Sequence, residues 1–378
     1  MTRTARGFSL VELMIALAIG SVLIIGAVYV YSQSRITSAV NDTIARLQEN
    51  GRYALSLIET DVQLAGYYGF TNYPDDFGFI AGGSTATVTP AAQMTYASAA
   101  VPGLPSSAQT CRNNYAVNLL QAAEGFNNQA TFALSCAAQG GGLSTATAGN
   151  PGSTDLLTIR RSSNPAAAGV IAPQSGRVQL LVNRLSPTNQ YVLADGLLPA
   201  APILDATNVQ VRNLVVRSYY VSANSDTQVG LPALRVKVLS ISGGSPAFVD
   251  DNTVDATSGE VVAGVQDMQI QFGIDTGDYN ADGIIDAGLD IDGNGIPDAP
   301  RGIATRYVNP NFMNVAPNQG FAVVSVRIWL LLRAPQAEQG FTDARTYQYA
   351  DRPAYRPNDN FRRVLVSKTI QLRNSRSF

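Results

Sequence analysis

The sequence predicts an α+β protein in which one long N-terminal helix packs on an antiparallel β-sheet. No proline occurs before Pro74, so nothing in the sequence interrupts a helix up to that point. Apolar residues in this part first form a continuous run and then recur at helical spacing. After residue 150, short β-branched segments alternate apolar and polar residues, which is typical of strands with one buried face. With 378 residues and 46% hydrophobic content, the chain has enough material for a large core.

The first part of the predicted helix is long and apolar enough to cross a membrane. Phe8 to Tyr31 contains a single charged residue, Glu12. A helix of this length spans about 36 Å, and the hydrocarbon core of a bilayer is about 30 Å thick. Arg3 and Arg6 precede the run, and the positive-inside rule places them in the cytoplasm and the rest of the chain on the opposite side.

Glu12 is the unusual residue of this run. Inserting a carboxylate into a bilayer costs about 3 kcal/mol, so such a residue is a functional candidate with a partner to be found. The run lacks the small-residue cleavage site that follows an ordinary secretory signal, and a basic leader ends at Gly7. Cleavage after Gly7 would create an α-amino group on Phe8, which is a suitable partner for Glu12. A plain membrane anchor with a tolerated glutamate is the alternative.

The segment from Gly7 to Leu13, GFSLVEL, resembles the class III signal of type IV pilins and pseudopilins. The resemblance implies that a membrane prepilin peptidase cuts between Gly7 and Phe8 and that Phe8 is then N-methylated. It also implies that Glu12 pairs with the N-terminus of a neighbouring pilin during assembly. Many major pilins carry a proline in the membrane half of this helix. This chain has no proline there, so the resemblance does not imply a kinked helix.

Beyond the membrane the pattern predicts that the helix continues from Ser9 through Leu64 and ends at Gly66. Softening is possible at Gly20, Gly26 and Gly51. Polar residues predicted to lie off the apolar stripe are Arg46, Glu49, Arg52 and Asp61. The stripe itself consists of Ile36, Val40, Ile44, Leu47, Ala54, Ile58, Val62 and Ala65.

Two motifs near the end of this helix narrow the resemblance to PilW-type minor pilins. One is ENGRYAL, from Glu49 to Leu55, and the other runs from Asp61 to Tyr67 with the pattern D-x-x-x-A-G-Y. The resemblance implies a role in a priming subcomplex of minor pilins at the pilus tip, with the major pilin and a large tip adhesin as further partners. The predicted organisation is a leader (1–7), a transmembrane half-helix (8–31), an amphipathic half-helix (32–66) and a head (67–378) outside the inner membrane.

The predicted strands form the antiparallel sheet of an α+β roll, as in type IV pilins, wrapped across the outer half of the helix. Period-two alternation gives each strand one buried face, and the apolar stripe of the helix is the natural cover for it. The predicted strands lie at 156–159, 178–182, 211–221, 234–238, 268–274, 324–332 and 364–372. Tyr219, Tyr220 and Trp329 are predicted to be packing or interface residues. A short helix is expected near 116–123.

Cys111 and Cys136 are the two cysteines of the chain, and they suit an oxidising compartment. A disulfide between them would close a loop of about 26 residues and contribute roughly 3 kcal/mol. Two buried free thiols are the alternative.

The segment 275–298 contains two consecutive calcium-type motifs, D-x-N-x-D-G-x-x-D and D-x-D-x-N-G-x-x-D. Alternate oxygen ligands and a glycine for the sharp turn are features of calcium loops. Leu289 and Arg301 stand where an EF-hand places its bidentate acid, so the pair is closer to dockerin-like or thrombospondin type 3-like repeats, and Asp275 could supply a missing oxygen. A solvated loop without an ion is the alternative. The candidate Ca²⁺ ligands are Asp278, Asn280, Asp282, Ile284, Asp286, Asp290, Asp292, Asn294, Ile296 and Asp298.

The sequence gives little support for an enzyme. It contains no histidine, which excludes Ser-His-Asp and Cys-His mechanisms, and it has no phosphate-binding loop. The formal net charge of −2 gives no indication of nucleic-acid binding. The alternatives to a priming minor pilin are a type II secretion pseudopilin, a membrane-tethered calcium-binding adhesin or DNA-uptake receptor, and a tethered hydrolase.

Overall fold

The computed structural model describes residues 9–70, 77–80, 88–90, 119, 121–129, 154–163, 174, 176–185, 190–194, 208–242, 245–251, 258–276, 302–313 and 322–374. Its first element is one uninterrupted helix, α1, at Leu10–Leu64. At about 1.5 Å per residue, these 55 residues extend roughly 80 Å. The prediction of one long helix is confirmed, and the helix continues without interruption through Gly20, Gly26 and Gly51, where the sequence analysis allows softening.

Helix α1 ends where the sequence predicts, at the Ala65-Gly66 pair. Ala65 has an extended backbone, and Gly66 adopts a positive φ of 76°. A Cβ atom at Gly66 would lie 2.9 Å from the backbone oxygen of Asn374, so only glycine fits both the angle and the space. The chain then turns onto the head, where Gly66 N–H donates to Arg160 O and Ser162 N–H donates to Tyr67 O.

The strands described form two sheets rather than the single sheet predicted. The bounds of the strands are β1 Phe77–Ile80, β2 Val88–Pro90, β3 Ala123–Gln129, β4 Thr154–Ser162, β5 Val178–Asn183, β6 Gln190–Ala194, β7 Val209–Ser222, β8 Ala233–Ser242, β9 Ser245–Asp250, β10 Glu260–Ala263, β11 Val265–Asp275, β12 Arg306–Val308, β13 Ala322–Arg333 and β14 Arg363–Gln371. A short helix, α2, lies at Pro310–Met313.

The larger sheet is organised around β7. The first half of β7 pairs with β5, and the second half pairs with β4 on one side and with β8 on the other. Through these strands the sheet continues to β6, β1 and β2, and β3, β9 and β10 attach to β4 and β8. All of these pairs are antiparallel except β1 with β6, which is parallel. The prediction of a short helix near 116–123 is wrong for its last residue, because Ala123 is the first residue of strand β3.

The smaller sheet has the order β12-β11-β13-β14 and is antiparallel throughout. Its inner face packs on α1 and on the larger sheet, so that both sheets and the last third of the helix share one core. The helix residues in this core are Leu47, Ala54, Leu55, Ile58, Val62 and Ala65. The structure therefore confirms the α+β class and the packing of the helix on the sheets.

One expectation about the strands is wrong for β4 and β5. The sequence predicts one buried face for each strand, yet both faces of β4 and nearly all of β5 are buried. On one face of β4, Leu157 and Ile159 enter the shared core. On the other, Thr158 bonds Ser218 through their hydroxyls at 2.6 Å, and Arg160 forms an ion pair with Glu124. Polar residues are buried here because each finds a polar partner on a neighbouring strand.

Candidate functional site

The first part of α1 is apolar and is not buried against the described residues of the head. The large apolar side chains from Leu10 to Tyr31 are more than half exposed, for example Ile25 at 68% and Tyr31 at 65%. This part of the helix is long and apolar enough to cross a membrane. Exposed apolar surface of this extent marks a membrane or protein interface, because it is unfavourable in water.

The start of α1 is closed by a reciprocal cap that includes Glu12. The backbone N–H of Ser9 donates to Glu12 Oε2 at 2.9 Å, and the N–H of Val11 donates to Ser9 Oγ at 3.2 Å. This capping box satisfies backbone donors that have no partner within the helix. Gly7 and Phe8, the predicted processing residues, lie outside the described residues. The Glu12 carboxylate is thus exposed and directed at the backbone of the residue that follows Phe8.

The other end of α1 is fixed to the head by a buried carboxylate, Asp61. The side chain is 1% exposed and receives hydrogen bonds from three residues of β4 and β7. Arg161 Nε donates to Oδ1 at 2.9 Å, and Arg217 Nη1 donates to Oδ2 at 3.2 Å. Tyr219 Oη donates to Oδ2 at 2.6 Å. Both oxygens of Asp61 are therefore engaged, and the helix is tied to the centre of the larger sheet.

The electrostatics of this junction keep the Tyr219 hydroxyl protonated. Burial and the neighbouring Asp61 carboxylate raise the pKa of Tyr219 well above its ordinary range, so its hydroxyl remains a donor. Arg217 also pairs with Asp251, with Nε and Oδ2 2.8 Å apart. The two acids, Asp61 and Asp251, balance the two arginines, Arg161 and Arg217. A buried ion-pair network of this kind strongly resists the loss of any one member.

Asp61 corrects the sequence analysis, which places it among the polar residues off the apolar stripe of the helix. The pattern D-x-x-x-A-G-Y contains the residue, but no periodicity indicates its burial. Its partners lie 100, 156 and 158 residues further along the chain. The sequence nevertheless contained one indication that Asp61 is buried. An acidic residue next to Val62 and Ala65, at the end of an apolar stripe, is uncommon without a buried partner.

Gly51 also has a packing role instead of softening the helix. Gly51 is buried, and a Cβ atom there would lie 2.9 Å from Val366 Cγ2 and 3.1 Å from Leu332 Cδ1. The absent side chain lets α1 approach β13 and β14 closely. Beside it, Lys368 Nζ on β14 donates to Glu59 Oε2 at 2.6 Å.

A second buried network holds the segment after β13 on the outer face of the smaller sheet. Tyr349 Oη donates to Asp267 Oδ2 at 2.6 Å, and Arg352 lies 3.3 Å from the same oxygen. Arg363 donates to both oxygens of Asp359 and lies 3.5 Å from Asp343. Trp329 packs beside this cluster. Tyr219 and Tyr220 are buried in the larger sheet.

The predicted metal and disulfide residues cannot be placed. The candidate calcium ligands from Asp278 to Asp298 lie outside the described residues, as do Cys111 and Cys136. Asp275, considered as an additional ligand, is described, and its Oδ2 accepts a hydrogen bond from Gly302 N–H at 3.0 Å. Within the described ranges no group of three or more metal-binding side chains occurs.

Two family profiles match the chain at its two ends. The profile of "Prokaryotic N-terminal methylation motif" matches residues 2–28, which includes the predicted processing site and Glu12. The profile of "Type IV Pilus-assembly protein W" (PilW) matches residues 218–374. The second match runs from the middle of β7 to the end of β14 and includes Tyr219 and Asp251 of the junction.

Among solved structures, a type IV-like pilin from Thermus thermophilus is similar to the chain. The two are 13% identical, the alignment covers 61% of this chain and 81% of the other, and the TM-score is 0.24. No curated protein matches. The chain therefore carries a prepilin methylation motif at one end and a region similar to PilW at the other, and both findings support a type IV pilin of the PilW type.

Proposed function

We propose that this protein is a minor pilin that primes type IV pilus assembly and stays at or near the pilus tip. The observation that carries the proposal is the division of α1. Its first part is exposed and apolar, whereas its last part is fixed in the head through Asp61. A force or displacement applied to the helix is therefore transmitted directly to the head. Its role is structural, and the energy for assembly comes from other proteins.

Assembly begins in the inner membrane with the head on the periplasmic side. The prepilin peptidase removes the leader after Gly7, and Phe8 is N-methylated. The exposed carboxylate of Glu12 then binds the N-terminal ammonium group of a neighbouring subunit, which lowers the cost of keeping both charges in an apolar surrounding. The partners in this step are other minor pilins, the major pilin and, at the tip, a large adhesin. Twitching motility and adhesion depend on the resulting pili.

The segment 275–298 is proposed to bind a structural calcium ion. The support is its doubled motif of alternating oxygen ligands. The described residues at its base are held together by the Asp275–Gly302 hydrogen bond. Removing Asp282 and Asp292 together should abolish any calcium-dependent rise in the melting temperature of the head. Equal calcium dependence in this variant and in the parent chain would contradict the proposal.

The first experiment on the priming role is a Glu12→Ala exchange in the native host. Processing should remain intact, with the mature chain beginning at methylated Phe8 only when the peptidase is present. Pilus number should fall severely, because the variant no longer recruits the next subunit. Glu49→Ala, on the same helix but beyond the membrane segment, is the matched control and should leave pilus number unchanged.

A deletion strain distinguishes the main alternative. A type II secretion pseudopilin would show lost protein secretion with normal pili, whereas the proposed function requires lost pili with normal secretion. Normal pilus number in both the deletion strain and the Glu12→Ala strain would overturn the priming role.

A further inference from the structure

Among the described residues, the edge of strand β14 that faces away from β13 carries a fixed set of backbone groups without a strand partner. Leu372 N–H donates to Val324 O, and Ala334 N–H donates to Arg362 O. In an antiparallel ladder these two bonds show that the backbone N–H and C=O groups of the even-numbered residues of β14 point towards β13. The N–H and C=O groups of Leu365, Ser367 and Thr369 therefore point to the opposite side. Within the described part of the chain β14 pairs only with β13, so this side has no strand partner.

A groove runs beside this edge, between β14 and helix α1. It has a volume of about 440 Å³ and is lined by Arg52, Leu55, Val366, Ser367 and Lys368. Leu55 and Val366 form its apolar floor, since Leu55 is only 6% exposed. An added strand would place every second side chain against this floor, as recognition by strand addition requires.

The charges of the groove favour an acidic partner. No carboxylate lines it, and both of its charged residues are cations. Lys368 is neutralised by Glu59 at 2.6 Å. Arg52 is exposed, and no ion pair to it exists among the described residues. One positive charge thus remains beside the free edge.

The same charges disfavour pairing of β14 with a second copy of itself. The strand has the sequence RVLVSKTIQ, which contains two cations and no anion. A second copy of this strand supplies no carboxylate for Arg52, because its two charged residues are cations that are already paired, Lys368 with Glu59 and Arg363 with Asp359. The edge is also nine residues long and contains no proline, so nothing in the strand itself prevents addition of another strand.

We propose that β14 and the Arg52 side of α1 form a binding site for an extended acidic segment of a different protein chain. The segment adds as a strand to the free edge, directs apolar side chains at Leu55 and Val366, and places a carboxylate on Arg52. The proposal depends on the geometry of this edge and not on the priming role.

The test uses the full chain in detergent micelles and a fluorescent nine-residue peptide in which valine alternates with threonine and glutamate. Binding is measured by fluorescence anisotropy. The same peptide with lysine in place of glutamate is the comparison and should bind about tenfold more weakly, the difference expected for a close charge pair. Arg52→Glu should reverse this order. Equal binding of both peptides by the parent chain, or no binding of either up to about 1 mM, would overturn the proposal.

A matched pair of variants tests strand addition itself. Ser367→Pro removes an N–H that faces the free edge, and proline is tolerated at such positions of edge strands. Ser367→Ala retains the N–H. The proline variant should lose at least about tenfold in affinity, while the alanine variant binds normally. Near-UV circular dichroism verifies that both variants keep the fold.

Residue-level hydrogen exchange gives a readout that does not depend on mutation. Peptide binding should slow exchange of the amides of Leu365, Ser367 and Thr369, which face the free edge. The amides of Val366 and Lys368 are already bonded to β13 and should not change. Protection confined to other surfaces, or equal affinity of the proline and alanine variants, would show that the peptide does not add to this edge.

Discussion

The two halves of α1 belong to one continuous helix but have opposite relations to the rest of the chain. From Leu10 to Tyr31 the large apolar side chains are exposed within the part of the chain that the structure describes. From Leu47 to Leu64 one face is buried, and Asp61, Gly51 and Glu59 each make a specific contact with the sheets. The second half is thus stabilised by contacts within the chain, whereas the first half presents apolar surface of the kind that marks a membrane or protein interface. Substitutions in the two halves should therefore be detected by different experiments.

The largest effect on the head half is expected from Asp61→Ala. The change leaves Arg161, Arg217 and Tyr219 without their shared acceptor, and breaking a buried network of this kind costs about 3–5 kcal/mol. Chemical denaturation of the full chain in detergent, followed by near-UV circular dichroism, measures the loss. Glu49→Ala is the matched control on the exposed side of the same helix segment. A loss below about 1 kcal/mol for Asp61→Ala would show that the head is not held through this residue.

The next effect is expected from a comparison of two glycines in the same helix. Gly51→Leu forces a side chain against Val366 and Leu332 and should destabilise the head by about 1–3 kcal/mol. Gly26→Leu meets no atom within 4 Å and should leave the head unchanged. The same denaturation experiment measures both variants. If they behave alike, the close approach of α1 to β14 is not required.

A third test uses pH, because every described group with a shifted pKa lies in the head. Burial raises the pKa of Asp155 well above its ordinary range, although its oxygens accept hydrogen bonds from the N–H groups of Asn128 and Ile270. Burial also raises the pKa of Asp267, against the effect of Arg352. These raised values stabilise the fold at low pH, and the stabilisation is lost as pH rises through the folded-state pKa values.

Two other acids, Asp343 and Asp359, set the lower limit of the pH range in which the fold is most stable. Burial opposes ionisation of Asp343 and Asp359, but hydrogen bonds from Arg345 to Asp343 and from Arg363 to Asp359 lower the pKa of each. Their contribution is present above the unfolded pKa of about 3.9 and is lost below it. The free energy of unfolding should therefore rise as pH falls from 7 towards about 4 and then decline.

Asp155→Asn isolates the upper part of this pH profile. The variant loses stability at every pH because one backbone N–H loses its acceptor, but the slope between pH 4 and 7 should become smaller. The melting temperature as a function of pH measures the slope. An unchanged slope would show that Asp155 does not take up a proton on folding.

The smallest effect is expected from Lys368→Ala. The ion pair with Glu59 is 2.6 Å long, but the lysine side chain is 41% exposed, so solvent screens the interaction. Its loss should cost about 0.2–1 kcal/mol. High salt should reduce the difference between this variant and the parent chain, which a denaturation series in added salt can measure. A loss near that of Asp61→Ala would mean that the exposed edge of the helix contributes as much as its buried face.

The sequence predicts the parts of the fold that depend on local pattern. The helix to Leu64, its end at Gly66 and the seven strands with clear alternation all appear in the structure. It does not predict β1, β2, β3, β6, β9, β10 or β12. Most of these are short, and β3 contains Asn127, Asn128 and a break in register, so alternation is weak or absent there. The division into two sheets could not be predicted either, because it depends on which strands pair.

By itself, the sequence determined the membrane segment, the processing motif with Glu12, the α+β class and the resemblance to the PilW type. Each of these depends on residues that are close together in the chain. The tertiary structure decided the role of Asp61, the packing at Gly51, the burial of both faces of β4 and the free edge of β14. These features depend on pairs that are far apart in the chain, from 36 residues for Arg160 with Glu124 to 100 residues for Asp61 with Arg161 and more for Gly51 with Val366. Local periodicity contains no information about such pairs, because the two residues come into contact only after the strands between them have paired in the folded sheets.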